Sequence, residues 1–170
     1  MKKKTFVMIL MTQIIAVIFC HETENQFVVS DGENKFHLLM PVSEVYRMLG
    51  NPDEIQVIRG TVPNHEYDTV ILSYPGMTFV YYDFFADPAI LVIGFSGAKT
   101  KLGCLELIGL NSNEVQKKYG SPRTMSETEG LIYLNYAFRQ SLLEHIEIQF
   151  RFSSAGICSD VMLTHSYYYY

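Results

Sequence analysis

A chain of 170 residues suffices for one domain or two very small ones. At 48% hydrophobic and 18% charged it is too apolar for a disordered chain, and 3 cysteines are too few for a disulfide-stapled mini-protein. Formal charge is −5, but 3 of the 13 Lys and Arg are Lys2, Lys3 and Lys4; without them 10 bases face 18 acids, a balance of −8 that opposes binding to nucleic-acid phosphates.

The chain opens with Met1-Lys-Lys-Lys, then Thr5, then an apolar stretch from Phe6 to Phe19 broken only by Thr12 and Gln13. A bilayer core needs roughly 20 apolar residues, so this segment is short for a span and has the form of a secretory signal. Residues 1–20 are therefore expected to be a signal peptide, and the mature protein to be exported: periplasmic, outer-membrane-associated or secreted. Cys20 stands where a bacterial lipoprotein carries its lipid. Phe19 before it is larger than that pattern wants, so lipidation at Cys20 and plain cleavage nearby both remain open. Residues 21–35 then form a polar tether and a lead-in strand.

From there one pattern occurs twice. Met40-Pro-Val-Ser-Glu-Val-Tyr-Arg-Met-Leu-Gly-Asn-Pro52 lies over Leu110-Asn-Ser-Asn-Glu-Val-Gln-Lys-Lys-Tyr-Gly-Ser-Pro122, with Glu, Val, Gly and Pro coinciding. Each copy describes a two-turn helix. Val42, Val45, Met48 and Leu49 make an apolar stripe in one, and Leu110, Val115 and Tyr119 a thinner one in the other. Gly50 and Gly120 suit a left-handed helix end, and Pro52 and Pro122 prevent continuation. Asn111 with Glu114 has the form of a capping box, whereas Pro41 takes that place in the first copy.

Strand-like runs follow each helix. After a loop, longer in the first copy and holding Gly60, Pro63 and Asn64, come 70–74 and 131–136. Next are 78–84 and 145–152, the latter with Ile146, Ile148, Phe150 and Phe152 alternating against Glu147, Gln149 and Arg151. The runs 90–95 and 161–168 close the units, and Cys104 to Ile108 bridges them. The predicted class is α+β: a tandem pair of helix-plus-three-stranded antiparallel units, spanning 36–100 and 101–170, with short helices packed on one face of the sheet.

The stretch from Thr100 to Pro122 resembles the Gly-x-(Ser/Thr)-x-x-Glu-Val-x-x-x-x-Gly-x-Pro signature of small bacterial envelope proteins, with Gly109 one place earlier than its simplest form. That superfamily contains the outer-membrane-assembly lipoproteins BamE, SmpA and OmlA and the β-lactamase-inhibitor-protein-like (BLIP-like) modules. The resemblance covers about residues 36–168. It implies a helical hairpin on a curved antiparallel sheet, often in tandem, and protein binding through sheet faces and loops rather than catalysis. This sequence offers one clear helix per unit.

Chemistry-bearing motifs are sparse. Gly94-Phe-Ser-Gly-Ala98 nearly spells a nucleophile elbow, but Ala98 replaces the second glycine and no helix follows Ser96. No two of His21, His37, His65, His145 and His165 share metal-ligand spacing with a third donor nearby. No phosphate-cradling glycine loop is present. No catalytic residue, cofactor or metal is expected. Cys104 and Cys158 are a candidate disulfide in an oxidising compartment.

Aromatic residues are the remaining signal, with 12 Tyr and 11 Phe. If the helices cover one side of the sheet, the alternation puts Ile71, Ser73, Phe79, Tyr81, Asp83, Tyr133, Asn135, Glu147, Gln149 and Arg151 on the other. A mixed aromatic and charged face suits protein recognition. The tyrosine tail from 167 to 170 has no assigned role. The leading expectation is an exported, inhibitor-like module that binds another protein. The alternative is a lipid-anchored assembly protein resembling BamE, and an enzyme is the third and weakest reading.

Overall fold

Gly50 and Gly120 each close a helix, and after short turns through Pro52 and Pro122 the chain enters a strand. The computed structural model describes residues 27–62, 65–83, 86–140 and 144–167. The signal segment, Cys20, residues 21–26 of the tether and residues 168–170 of the tyrosine tail lie outside the described residues. In chain order the elements are β1 (Val29–Ser30), β2 (Lys35–Phe36), α1 (Val42–Leu49), β3 (Glu54–Val62), β4 (His65–Tyr74), β5 (Met77–Tyr82) and β6 (Val92–Phe95). They continue with β7 (Lys101–Leu102), β8 (Leu105–Glu106), α2 (Ser112–Tyr119), β9 (Thr124–Thr128), β10 (Leu131–Arg139), β11 (Glu144–Phe152) and β12 (Cys158–Tyr167).

The expected class needs correction. The chain does not build two helix-plus-three-strand units. It builds one antiparallel sheet of eight strands, in the order β3-β4-β5-β6-β12-β11-β10-β9, and a small second sheet of four two-residue strands, β2-β1-β7-β8. The two short helices are minor by comparison. In the large sheet, the strands that the sequence pattern does not reveal are β3 and β9; around β3, the Gly60, Pro63 and Asn64 punctuation reads as a loop. The additional residues of the first copy lengthen both arms of the β3–β4 hairpin, whose pairing runs from Glu54↔Ser73 to Val62↔His65. The corresponding β9–β10 hairpin closes at Thr128↔Leu131. Its turn residues Glu129 and Gly130 both have positive φ, as a two-residue hairpin loop of type I′ requires.

Each set of four strands is a meander, and the two meet at the centre where β6 pairs β12. The same contacts recur on both sides of that seam. The Tyr74 hydroxyl donates to the Gly50 carbonyl (3.0 Å), and that of Tyr136 to the Gly120 carbonyl (3.1 Å). Tyr74 meets Phe79 edge-on at 5.8 Å, and Tyr136 meets Phe150 edge-on at 5.6 Å. Asp53 and Arg123 donate backbone N–H groups to the carbonyls of Ser73 and Asn135.

One face of the large sheet is covered. Leu72, Phe79, Ile93, Leu134, Ile148, Phe150 and Leu163 are fully buried there beneath Val42 and Val45 of α1 and Val115 of α2. The small sheet packs on the same side, with Phe36 against Phe79 at 5.1 Å. Each of these large side chains stabilises the fold by about 1.5–3 kcal/mol through burial. The helix ends are those the spacing predicts. Asn111 accepts from the N–H groups of Asn113 and Glu114, and the Glu114 carboxylate accepts from the Asn111 N–H (2.8 Å). The start of α1, where Pro41 offers no side-chain cap, is served from a distance: Asp87 accepts from the Ser43 hydroxyl (2.9 Å) and N–H (3.3 Å).

Candidate functional site

The opposite face of the eight-stranded sheet has neither helix nor second sheet upon it among the described residues. Cross-strand register defines its members. Gln56 pairs Ile71, Ile71 pairs Val80, Val80 pairs Val92, Val92 pairs Thr164, Thr164 pairs Glu147, and Glu147 pairs Ala137. One pleat along, the row is Glu54, Ser73, Thr78, Gly94, Met162, Gln149, Asn135 and Thr124. Asp160 pairs Arg151, and Arg151 pairs Tyr133, at the far side of β12.

Gly94 lies at the centre of this face and leaves a gap between Thr78 and Met162. Glycine is uncommon inside a strand, and here its backbone needs no special conformation. A Cβ at position 94 would stand 3.7 Å from the Thr78 Cβ, an ordinary contact. What the missing side chain creates is space. A hollow of about 370 Å³ opens over it, lined by Thr78, Val80, Val92, Met162, Tyr133 and Gln149 among others. A glycine inside a strand often marks a bulge, a tight bend or a place of close approach, and the pairing at Gly94 runs without a register shift on either side.

The two halves of the face differ in chemistry. Towards β3 it is apolar and aromatic, with Ile71, Val80, Val92 and the edge-to-face pair Tyr67–Tyr82 at 5.3 Å. Towards β9 it is polar and already knit together. Arg151 donates through Nε (2.9 Å) and Nη2 (2.6 Å) to one oxygen of Asp160. That hydrogen-bonded pairing holds the guanidinium above its ordinary pKa, so it stays charged throughout. Gln149 donates to Asn135 (2.8 Å), and Asn135 donates to Thr124 (3.1 Å). Glu147 receives His145 Nε2 at 3.1 Å and lies 3.9 Å from Arg123.

Seven of the ten residues expected on this face are placed there: Ile71, Ser73, Tyr133, Asn135, Glu147, Gln149 and Arg151. Phe79, Tyr81 and Asp83 require correction. Phe79 is fully buried on the covered side, and Tyr81 shares its parity and packs against the core, where burial raises its phenol pKa. Asp83 follows the end of β5 and is exposed at the rim. The residues that belong to the face from this strand are Thr78, Val80 and Tyr82, the last 42% exposed. Thr78, Val80, Tyr82, Gly94, Asp160 and Met162 were all missed. A signal for the first three existed. Pro75-Gly76 makes a two-residue turn that pairs Tyr74 with Met77, and counting outward from that pair puts Thr78 and Val80 beside Ser73 and Ile71.

The candidate disulfide is absent. Cys104, exposed in the β7–β8 turn, and Cys158, buried at the start of β12, are both free thiols. Cys158 points to the Asp160 carbonyl (3.6 Å), and burial pushes its thiol up to about 12, so it carries little of the thiolate that disulfide formation requires. Ser96 is exposed in the turn after β6, where its N–H donates to Gly76, and the chain continues without a helix. Among the described residues no three His, Cys, Asp or Glu side chains are grouped closely enough to hold a metal ion.

No family model matches the chain, and no curated protein does. A solved structure from Streptococcus mutans, provisionally named a beta-lactamase inhibitor protein, is similar at 12% identity and a TM-score of 0.26, over 86% of this chain and 94% of that one. A likeness of that size carries no argument about fold or function. The resemblance to BamE, SmpA and OmlA accordingly rests on the spacing of helix stops and turns alone.

Proposed function

We propose that the chain is a non-catalytic protein-binding module of the bacterial cell envelope, inhibitor-like in its action, which recognises another protein through the open face of its eight-stranded sheet. The observation that carries this reading is the Gly94 hollow, an unfilled space at the centre of an uncovered face that is apolar on one side and charged on the other. A protruding apolar side chain of a partner fills the hollow, while Tyr133 and the paired Arg151 and Asp160 frame it. Buried aromatic and arginine groups around a central pocket are the usual energetic anchors of protein interfaces. The ladder from Gln149 through Asn135 to Thr124 fixes those side chains and leaves the Gln149 carbonyl oxygen as an acceptor for a partner's donor.

Export belongs to the same proposal and rests on Lys2 to Lys4 and the apolar segment after them. The reading is tested by placing a photo-crosslinking amino acid at Val80 and, as a control, at Lys117 on the exposed side of α2. A single envelope protein crosslinked at Val80 and not at Lys117 supports it. Equal patterns at the two positions overturn it. The lipid-anchored alternative has its own readout: incorporation of a palmitate analogue that vanishes in Cys20→Ala.

A further inference from the structure

Among the described residues the eight-stranded sheet ends in two open edges of different character. At the β9 edge the strand has five residues, Thr124 to Thr128, with Met125 as its large exposed apolar group. The β3 edge is nine residues long. It exposes Ile55 (54%), Val57 (56%) and Ile58 (48%) and has no proline or lysine between Glu54 and Gly60. Apart from Glu54 and Arg59 near its two ends, the stretch from 54 to 60 lacks the charges and prolines with which proteins normally blunt an edge, and a long apolar edge is a template for pairing with another strand.

The sequence of this edge is complementary to itself. In an antiparallel pair related by a two-fold axis normal to the sheet, only registers that keep each residue on its own face are allowed. With the axis at Gln56, Ile55 of each copy lies opposite Val57 of the other, on the helix-bearing side. Asp53 lies opposite Arg59, so two ion pairs close the ends of the contact. Arg59 is already drawn to Asp68 of its own hairpin at 3.5 Å and would then lie between two carboxylates. On the open-face side Glu54 lies opposite Ile58, and Gln56 opposite its own counterpart. We propose that β3 is a self-association edge at which two copies of the chain join antiparallel about Gln56, making one continuous sheet of sixteen strands. The axis is normal to the sheet, so both Gly94 hollows remain on the same side. A β3-to-β9 contact would instead be head-to-tail and build rings or filaments rather than a two-fold dimer.

The test is light scattering on the full chain at about 100 μM, a concentration that populates micromolar complexes. The expected mass is twice that of the protomer, and Val57→Lys is expected to return it to a monomer by setting two ammonium groups diagonally across the join. Register is read by oxidative crosslinking in a chain carrying Cys20→Ser and Cys104→Ser. Gln56→Cys is expected to form a covalent dimer, because directly opposed Cβ atoms lie about 4.5–5.5 Å apart. Glu54→Cys is expected not to, its counterpart being about four residues or 13 Å away. A monomer at this concentration, a Val57→Lys dimer, concentration-dependent higher species, or crosslinking at position 54 and not 56 would each overturn the proposal. Failure of Val57→Lys to fold leaves the Gln56→Cys result to decide.

Discussion

Gly50 and Gly120 show how much a single residue can settle. Their φ values are 74° and 81° and their ψ values −149° and −159°, a backbone region open in practice to glycine alone. Each closes its helix by donating an N–H to the preceding turn, and each offers a carbonyl to a sheet tyrosine. Gly120→Val is expected to destabilise the protein by about 1–3 kcal/mol, read as a lowered midpoint in urea. Asp87, which caps α1 from 44 residues away at Ser43, is worth about 1 kcal/mol by the same assay in Asp87→Ala. Nothing near Pro41 in the sequence points to Asp87, because the contact exists only once residues 88–90 return beside residues 39–42 at the start of α1.

His165 adds a dependence on pH. It is 7% exposed on the covered side of β12, and burial pushes its pKa below the ordinary 6.5, with His145 lowering it further and Glu144 opposing. The unfolded chain therefore binds this proton more readily than the folded one. The associated stability is fully present above the unfolded value and is lost as pH falls through 6.5 towards the folded one. Thermal melts at about pH 7.5 and 5.5 are expected to show a lower transition at the acid value, with a smaller drop in His165→Gln.

At the scale of an element, the β4–β5 hairpin decides which residues the site receives. Its two-residue turn pairs Leu72 with Phe79 and Ile71 with Val80. Shifting the strand by one residue exchanges its two sides, and 78–84 is apolar at nearly every position, so alternation within that run does not favour either side. In β11 the charges at Glu147 and Arg151 remove the ambiguity, and its facing was legible from sequence. The register predicts opposite costs for adjacent substitutions. Phe79→Ala is expected to cost about 3–5 kcal/mol, the penalty for emptying a core aromatic site. Val80→Ala is expected to cost under about 1 kcal/mol. Similar losses at the two positions in urea titrations would contradict this assignment of inside and outside.

The whole molecule adds what neither residues nor hairpins hold. Two meanders meet at β6 and β12, and the hollow exists because Gly94 of one faces Met162 of the other. Gly94→Phe is expected to fill that space and leave the melting temperature within a few degrees of the parent, since the added ring stands on the open side. Loss of the crosslink formed from Val80, with folding retained, is the expected outcome. A stable Gly94→Phe variant that still captures the same protein would show that recognition lies elsewhere.

By itself, the sequence determined where each helix ends, how α2 is capped and that a similar run of elements occurs twice. These are local events, governed by backbone sterics and hydrogen bonds within a few residues. Only the tertiary structure decided that the two runs share one sheet, that Gly60 lies in a long hairpin and not a loop, and that Phe79 is inside while Val80 is outside. A strand's alternation marks two sides without saying which is covered. That choice is made by the helices, the small sheet and the neighbouring strands that arrive from elsewhere in the chain.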